Sequence, residues 1–297
     1  MRLRRWLRSR DRRNSFLLLL PVTILILSFS LYPVLRGIYL GFTNYKVGKD
    51  INFNFLANYI YLSDGGYFWV SLINQAKITA LALLLTYAVA LPLALTLNSE
   101  IPFRSFFRTI MILPWAIPPV VKVFIWKGMY SKTTGWLNYF LAELGIIERY
   151  IGWVGDKNFA LYAVVIMIAW GCIPYLTMAF LSTLQGIPQD NYEAARIDGA
   201  NIFHEFRFIT IPYLTRIITV TSSFLFIWIA NDFTSQYLLT EGGPGSATLT
   251  MGVEAYRQGF QQGNFGLALS YGNLTMMFMG VFLILYLRVM FKKGDVS

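Results

Sequence analysis

The stretch NYEAARIDGANIFHEFRFITIPYL, Asn191–Leu214, sets Glu193, Arg196, Asp198, His204, Glu205 and Arg207 between two long apolar segments. So many ionisable groups cannot lie in hydrocarbon, so the stretch must protrude into water while its neighbours do not. Its punctuation predicts two short helices rather than a slack connection. Pro188 breaks the preceding segment, and Asp190 with Glu193 fits a D-x-x-E start in the manner of a capping box. A helix through Ala194, Ala195 and Ile197 then runs to Gly199, whose missing side chain permits a sharp turn. Asn201 is placed to cap a second helix, with Phe203, Phe206 and Thr210 along one side, and Pro212 to open the next long segment. Against a merely solvated loop, the pattern favours a knob that inserts into a partner. Ala194 and Ala195 allow close approach, Glu193 offers a charge-assisted contact, and the aromatic stripe packs the knob onto its own helices.

The rest of the chain explains why this loop stands out. Hydrophobic residues make up 56% and charged residues 13% of the 297 positions, whereas a soluble domain carries roughly a quarter charged residues. Most of the outside must therefore face lipid. Six stretches are long enough to span the hydrocarbon as helices, about 16–41, 72–97, 106–128, 158–183, 212–240 and 264–291. The fold class is all-α: a polytopic membrane protein with six transmembrane helices and a protruding helix–turn–helix. It divides into a basic N-terminus (1–15), the six-span domain (16–291, with the loop at 184–211) and a short tail (292–297). Pro21, Pro33, Pro92, Pro114, Pro118, Pro119 and Pro174 should kink these spans or mark their ends.

Charge sets the expected orientation. Net charge is +10, with seven arginines crowded into the first thirteen residues. In a soluble protein this would suggest nucleic acid; here it reads as a positive-inside signal, with no nucleic acid partner. The apolar run after it is long, ends at no A-x-A-like site and is followed by further spans, so it reads as an uncleaved first span. Both termini and the quoted loop are expected on the cytoplasmic side.

Several chemistries are excluded. The single cysteine, Cys172, rules out an intramolecular disulfide and a cysteine-rich zinc site and reads as a packing residue. His204, the one histidine, has no visible triad or metal partner. EGGPG, Glu241–Gly245, lacks a following Lys-Ser/Thr and a preceding strand, so it reads as a turn. No metal or nucleotide site is expected in this chain.

Polar groups inside the spans are functional candidates. Trp228, Asp232 and Gln236 follow at intervals of four, one face of a straight helix, with Asn231 beside them. An aromatic platform next to hydrogen-bonding groups suits a sugar ring; the alternative is that Asp232 lies near the outer surface or makes an interhelical contact. Tyr271 and Asn273 in the sixth span serve either the solute pathway or hydrogen bonding between helices. Trp170 and Tyr175 are as readily packing residues, and Lys77 and Lys122 lie near outer span ends where they can snorkel.

The loop resembles a known family. The pattern E-A-A, three residues, G, nine residues, I-x-L-P marks permease subunits of binding-protein-dependent ABC importers. This chain reads Glu193-Ala194-Ala195, Gly199, then Ile209-Thr210-Ile211-Pro212, with isoleucine for the usual leucine. SLYPVLRGIYLGFTNY, RTIMILPWAIPPVV, TLQGIPQDNYEAARIDGA and LLTEGGPG are similar to the carbohydrate-uptake branch, the maltose and glycerol-phosphate permease types. The resemblance implies that Glu193, Ala194, Ala195 and Gly199 dock into an ATPase subunit. It also implies as partners a second homologous permease, a dimeric ABC ATPase that binds ATP and magnesium, a periplasmic or extracellular solute-binding protein, and a sugar-like solute. No cofactor and no catalytic residue are implied for the chain itself, which is expected in the inner membrane. The solute stays open between sugars, polyols and glycerol phosphate. An ion-coupled secondary carrier is the rival class, but it offers only Asp232 as an intramembrane acid and leaves the loop unexplained.

Overall fold

The structure, a computed structural model, describes residues 10–294. Arg2, Arg4, Arg5 and Arg8 of the basic cluster and residues 295–297 of the tail lie outside them. Five helices are long and apolar enough to cross a membrane: Leu17–Gly41, Phe68–Asn98, Ala160–Gln185, Ile202–Ala230 and Phe265–Arg288. Two further helices, Arg104–Ala116 and Pro119–Met129, meet at 99°. The six expected spans correspond to the five continuous helices and, at the third, this bent pair. Among the described residues the remainder is short helices, turns and a single antiparallel bridge, Thr43 to Phe53.

In chain order, α1 (Arg10–Ile26) continues through a π-turn at Leu27–Leu31 into α2 (Tyr32–Gly41). Then come α3 (Ala57–Asp64), α4 (Phe68–Asn98), α5 (Arg104–Ala116), α6 (Pro119–Met129), α7 (Trp136–Glu143) and α8 (Ala160–Gln185). The protruding loop contributes α9 (Gln189–Ile197) and α10 (Ile202–Glu205), followed by a π-turn at Phe206–Thr210, α11 (Ile211–Ala230) and α12 (Phe233–Thr240). The chain closes with α13 (Met251–Tyr256), a π-turn at Arg257–Gln261 and α14 (Phe265–Gly294). Proline marks the break in the third span for a local reason. Pro118 and Pro119 lack donors, and the residue before a proline is pushed out of the helical region. Ile117 and Pro118 are accordingly extended, at ψ 126° and 141°. By contrast α1, α4 and α8 run through Pro21, Pro92 and Pro174 without ending.

The chain forms two compact units. One comprises the residues up to Gly65 with Ala255–Leu274; the other comprises Gly66–Glu254 with the residues from Thr275 on. In the first, the end of α2 is tied down by side chains. Asn58 Nδ2 donates to the carbonyls of Gly41 and Thr43, both at 2.9 Å, and Ser270 Oγ donates to Gly41 at 2.8 Å. Asn273 Nδ2 donates to the Ile38 carbonyl (3.2 Å) and the Tyr59 hydroxyl (2.8 Å), and a Cβ at Gly41 would overlap its amide. Tyr271 is buried in the same unit. Asn273 thus hydrogen-bonds between helices, one of its two expected roles.

The second unit is built around α8, the most enclosed span: 61% of its apolar window is buried, against none of the window in Leu17–Gly41. Its closest partner is α4, and the sequence shows why they fit. Ile78, Ala82, Thr86, Ala90 and Ala94 recur at every fourth position of α4 and are completely buried. Small residues on one stripe let two helices approach closely where lipid supplies no hydrophobic drive. Thr86 satisfies its own hydroxyl on the Ala82 carbonyl at 2.7 Å. Tyr87 ties α4 to α11, its hydroxyl lying 2.8 Å from Thr221 Oγ1 and 2.7 Å from Ser222 Oγ.

Candidate functional site

Between α8 and α11 the loop folds as a clamped knob. Pro188 is the N-cap of α9, and Asp190 sits in its first turn without capping it, so the expected capping box is absent. Proline at the N-cap has no side-chain acceptor, so it offers the first-turn amides no cap. The C-terminal end follows expectation. Gly199 adopts φ +84°, its amide donates to the Arg196 carbonyl (3.0 Å), and the Ala200 amide reaches back to Ala195 (2.9 Å). Asn201 Oδ1 then accepts from the His204 amide at 2.9 Å, capping α10.

Three side-chain links bind α9 to the base of the fifth span. Arg196 donates to Glu205 through Nε (2.6 Å) and Nη2 (3.3 Å). Tyr192 and Thr210 share a hydroxyl contact at 3.0 Å, and Asn191 Nδ2 donates to the Tyr213 hydroxyl at 2.9 Å. The hydrogen bond and charge of Glu205 hold the Arg196 guanidinium above its ordinary value, firmly protonated. α10 is the first turn of a helix that continues through the π-turn to Ala230. Any force on the knob is thus applied directly to the fifth span.

The knob exposes large apolar side chains among its charged ones. Ile197 is 86% exposed, Ile202 85%, Phe203 67% and Phe208 65%. Phe203 therefore faces outward rather than packing the knob onto its own helices; that task falls to the polar clamp. Glu193 and Ala194 are exposed on the same element, with Ala195 partly covered. Four large apolar side chains thus stand exposed beside charged ones on this loop.

The second site lies where two spans break. The fifth span does not run straight to residue 240: α11 ends at Ala230, and α12 starts anew at Phe233. A break among buried helices needs partners for the freed backbone groups; Asp232 and Gln75 supply them, while Asn231 and Gln236 add second donors to carbonyls that already accept backbone amides. Asn231 Nδ2 donates to the Ile227 carbonyl (3.0 Å). Gln236 Nε2 donates to the Ile229 carbonyl (3.4 Å), and Asp232 Oδ1 caps α12 by accepting from the Ser235 amide (3.0 Å). Gln75 of α4, buried, donates to the Ala230 carbonyl at 2.9 Å.

Trp228, Asp232 and Gln236 consequently do not share one helix face. Trp228, Asn231 and Asp232 line a cavity of about 600 Å³, whereas Gln236 is 2% exposed and packs in the interior. Across that cavity stand Pro114–Pro119 of the other broken span, including Trp115, and Lys122. Lys122 is buried and lies 3.8 Å from Asp232 Oδ2, so it does not snorkel. The volume falls within the roughly 300–1,000 Å³ of small-molecule sites. Two indole faces, an amide and one charge of each sign can hold a polar solute with apolar C–H faces.

An all-helical membrane bundle with a solute-sized cavity at broken spans and a docking knob between spans has the architecture of a transport permease. The chain belongs to the family described as binding-protein-dependent transport system inner membrane component, which matches residues 86–292. It is 31% identical over 289 residues, 95% of each chain, to the trehalose/maltose transport system permease protein MalF of Thermococcus litoralis. With the lactose transport system permease protein LacF of Rhizobium radiobacter it shares 33% identity over 251 residues, 84% of each chain. Its fold is similar to a chain in the crystal structure of a bacterial ABC transporter involved in import of the acidic polysaccharide alginate. The TM-score is 0.82 at 21% identity, covering 98% of this chain and 99% of that one.

Proposed function

We propose that this chain is one membrane-spanning subunit of an ATP-driven importer for a sugar or sugar-like solute. The observation that carries the reading is the knob: four large apolar side chains exposed on a charged loop that is clamped to the fifth span. Its occupant is an ATPase subunit. Ile197, Ile202 and Phe203 enter that partner's cleft as a short helix enters a groove, with Glu193 supplying a charged contact at the rim. A second homologous permease faces the cavity, a solute-binding protein delivers the solute from outside, and both termini lie in the cytoplasm.

ATP and magnesium belong to the ATPase, which supplies the chemistry of hydrolysis. This chain's residues convert the resulting motion. Closure of the ATPase dimer moves the knob, the Arg196–Glu205 clamp passes the movement to the fifth span, and the broken spans alternate the cavity between the two faces. Such switching requires two packings of similar free energy that a ligand biases. The sugar assignment draws on the names of the relatives and on the paired indoles Trp115 and Trp228 beside Asn231.

The test is an Ile197→Ser, Phe203→Ser double variant, purified by a tag on this chain. The ATPase should be lost from the preparation while the second permease is retained. Unchanged ATPase stoichiometry removes the knob from that interface.

A further inference from the structure

The cavity holds two charges of opposite sign with no direct hydrogen bond between them. Lys122 Nζ stands 3.8 Å from Asp232 Oδ2, beyond the roughly 2.7–3.2 Å of an N–H···O bond. Each partner is fixed by a different half-helix. The Lys122 stem occupies the space left by Gly171, where a Cβ would meet Nζ at 3.3 Å and Cδ at 3.5 Å. Asp232 is held by its Oδ1, which caps α12 through the Ser235 amide. Lys122 is 9% exposed and brings three donors to the cavity wall.

We propose that the Lys122–Asp232 pair is the recognition element of the cavity and selects neutral polyhydroxylated solutes over anionic ones. The proposal rests on the reading of this cavity as the solute path. A hydroxyl both accepts a hydrogen bond and donates one, so a single solute hydroxyl can accept from Lys122 and donate to Asp232. An oxygen about 2.8 Å from both atoms sits off the line joining them. It therefore reaches the pair from the cavity side without prising the charges apart. A carboxylate or phosphate gains no such fit. In the bridging position open to a hydroxyl it lies about as close to Asp232 as to Lys122, and attraction and repulsion of similar size cancel. The exposed indoles of Trp115 and Trp228 then cover the apolar faces of the ring.

The proposal makes charge removal directional. Asp232→Asn keeps a good N-cap and leaves Lys122 as a lone cation; Lys122→Gln leaves a lone anion. The double variant restores neutrality and serves as the folding control, because a lone buried charge destabilises more than a missing pair. The assembled complex, purified in detergent, is presented with trehalose, maltose and lactose and with a glucuronate-containing disaccharide. Binding is read by saturation-transfer NMR, without the receptor protein. The wild type should bind a neutral disaccharide more strongly than the uronate, which it binds only weakly. Asp232→Asn should raise the uronate-to-neutral ratio about tenfold or more, Lys122→Gln should lower it further below wild type, and the double variant should return it toward wild type with weaker binding overall. Neutral binding with an unchanged ratio in both single variants overturns the role of the pair alone. Binding of no disaccharide by the wild type overturns the sugar reading of the cavity and this proposal with it.

Discussion

Gly199 offers a clean way to disturb the knob without touching its surface. Its φ of +84° lies where an L side chain is strained, yet a Cβ built there meets nothing within 4 Å. Substitution therefore changes backbone preference and not packing. Placing an ordinary L residue in the left-handed region costs about 1–2 kcal/mol, which is about 5–30-fold in the balance between the native turn and its alternatives. A β-branched residue is worse, and asparagine tolerates the region best among side chains. Proline is incompatible with positive φ and also removes the amide that donates to Arg196. Coupling of ATP hydrolysis to uptake should therefore fall in the order Gly, Asn, Ala, Val, Pro. The assay is solute-stimulated ATPase activity and uptake by the reconstituted complex, with membrane insertion followed in parallel. Full coupling in Gly199→Val would refute the turn's role. Equal damage from Asn and Val would show that bulk at the surface matters and backbone conformation does not.

Glu193→Lys should weaken ATPase association while leaving solute binding intact, since like-charge juxtaposition at an interface can cost several kcal/mol; unchanged copurification would move Glu193 out of the contact. Gln236→Ala should lower the stability of the purified subunit by about 0.5–1.5 kcal/mol, because the Ile229 carbonyl loses its side-chain donor but keeps the Asp232 amide. Its apparent affinity for solute should stay at the wild-type value, and a selective rise in KM would instead return Gln236 to the cavity.

The spans, the loop and its two turn residues were legible because they rest on local chemistry. Apolar length, a glycine at the turn and an asparagine at the cap need no knowledge of the rest of the chain. The capping box is absent because α9 starts at Gln189, which puts Asp190 inside the first turn and not at the N-cap. The line-up of Trp228, Asp232 and Gln236 assumed a straight helix. The break at Asn231 depends on Gln75, 155 residues before the Ala230 carbonyl it serves, and no local pattern reports such a bond. The one available hint was Asn74-Gln75, two amides in the apolar run of the second span. Lys122 was set aside as a snorkelling residue for a similar reason. A straight third span carries it to the outer end; the 99° bend after Ala116 leaves it buried against Asp232. Phe203 was assigned inward by helical spacing, but α10 is only the first turn of a long helix and that side has no neighbour to cover it.

Whether this chain moves solute by itself is the decisive question. On the proposed reading, a second permease closes the cavity lined by Pro114–Pro119, Lys122, Trp228, Asn231 and Asp232, and an ATPase moves the knob. Uptake of a radiolabelled disaccharide into liposomes measures this, comparing the chain alone with the full complex of two permeases, ATPase and binding protein, with and without ATP. The predicted result is uptake by the full complex only and only with ATP. Robust uptake by the single chain without ATP would contradict it.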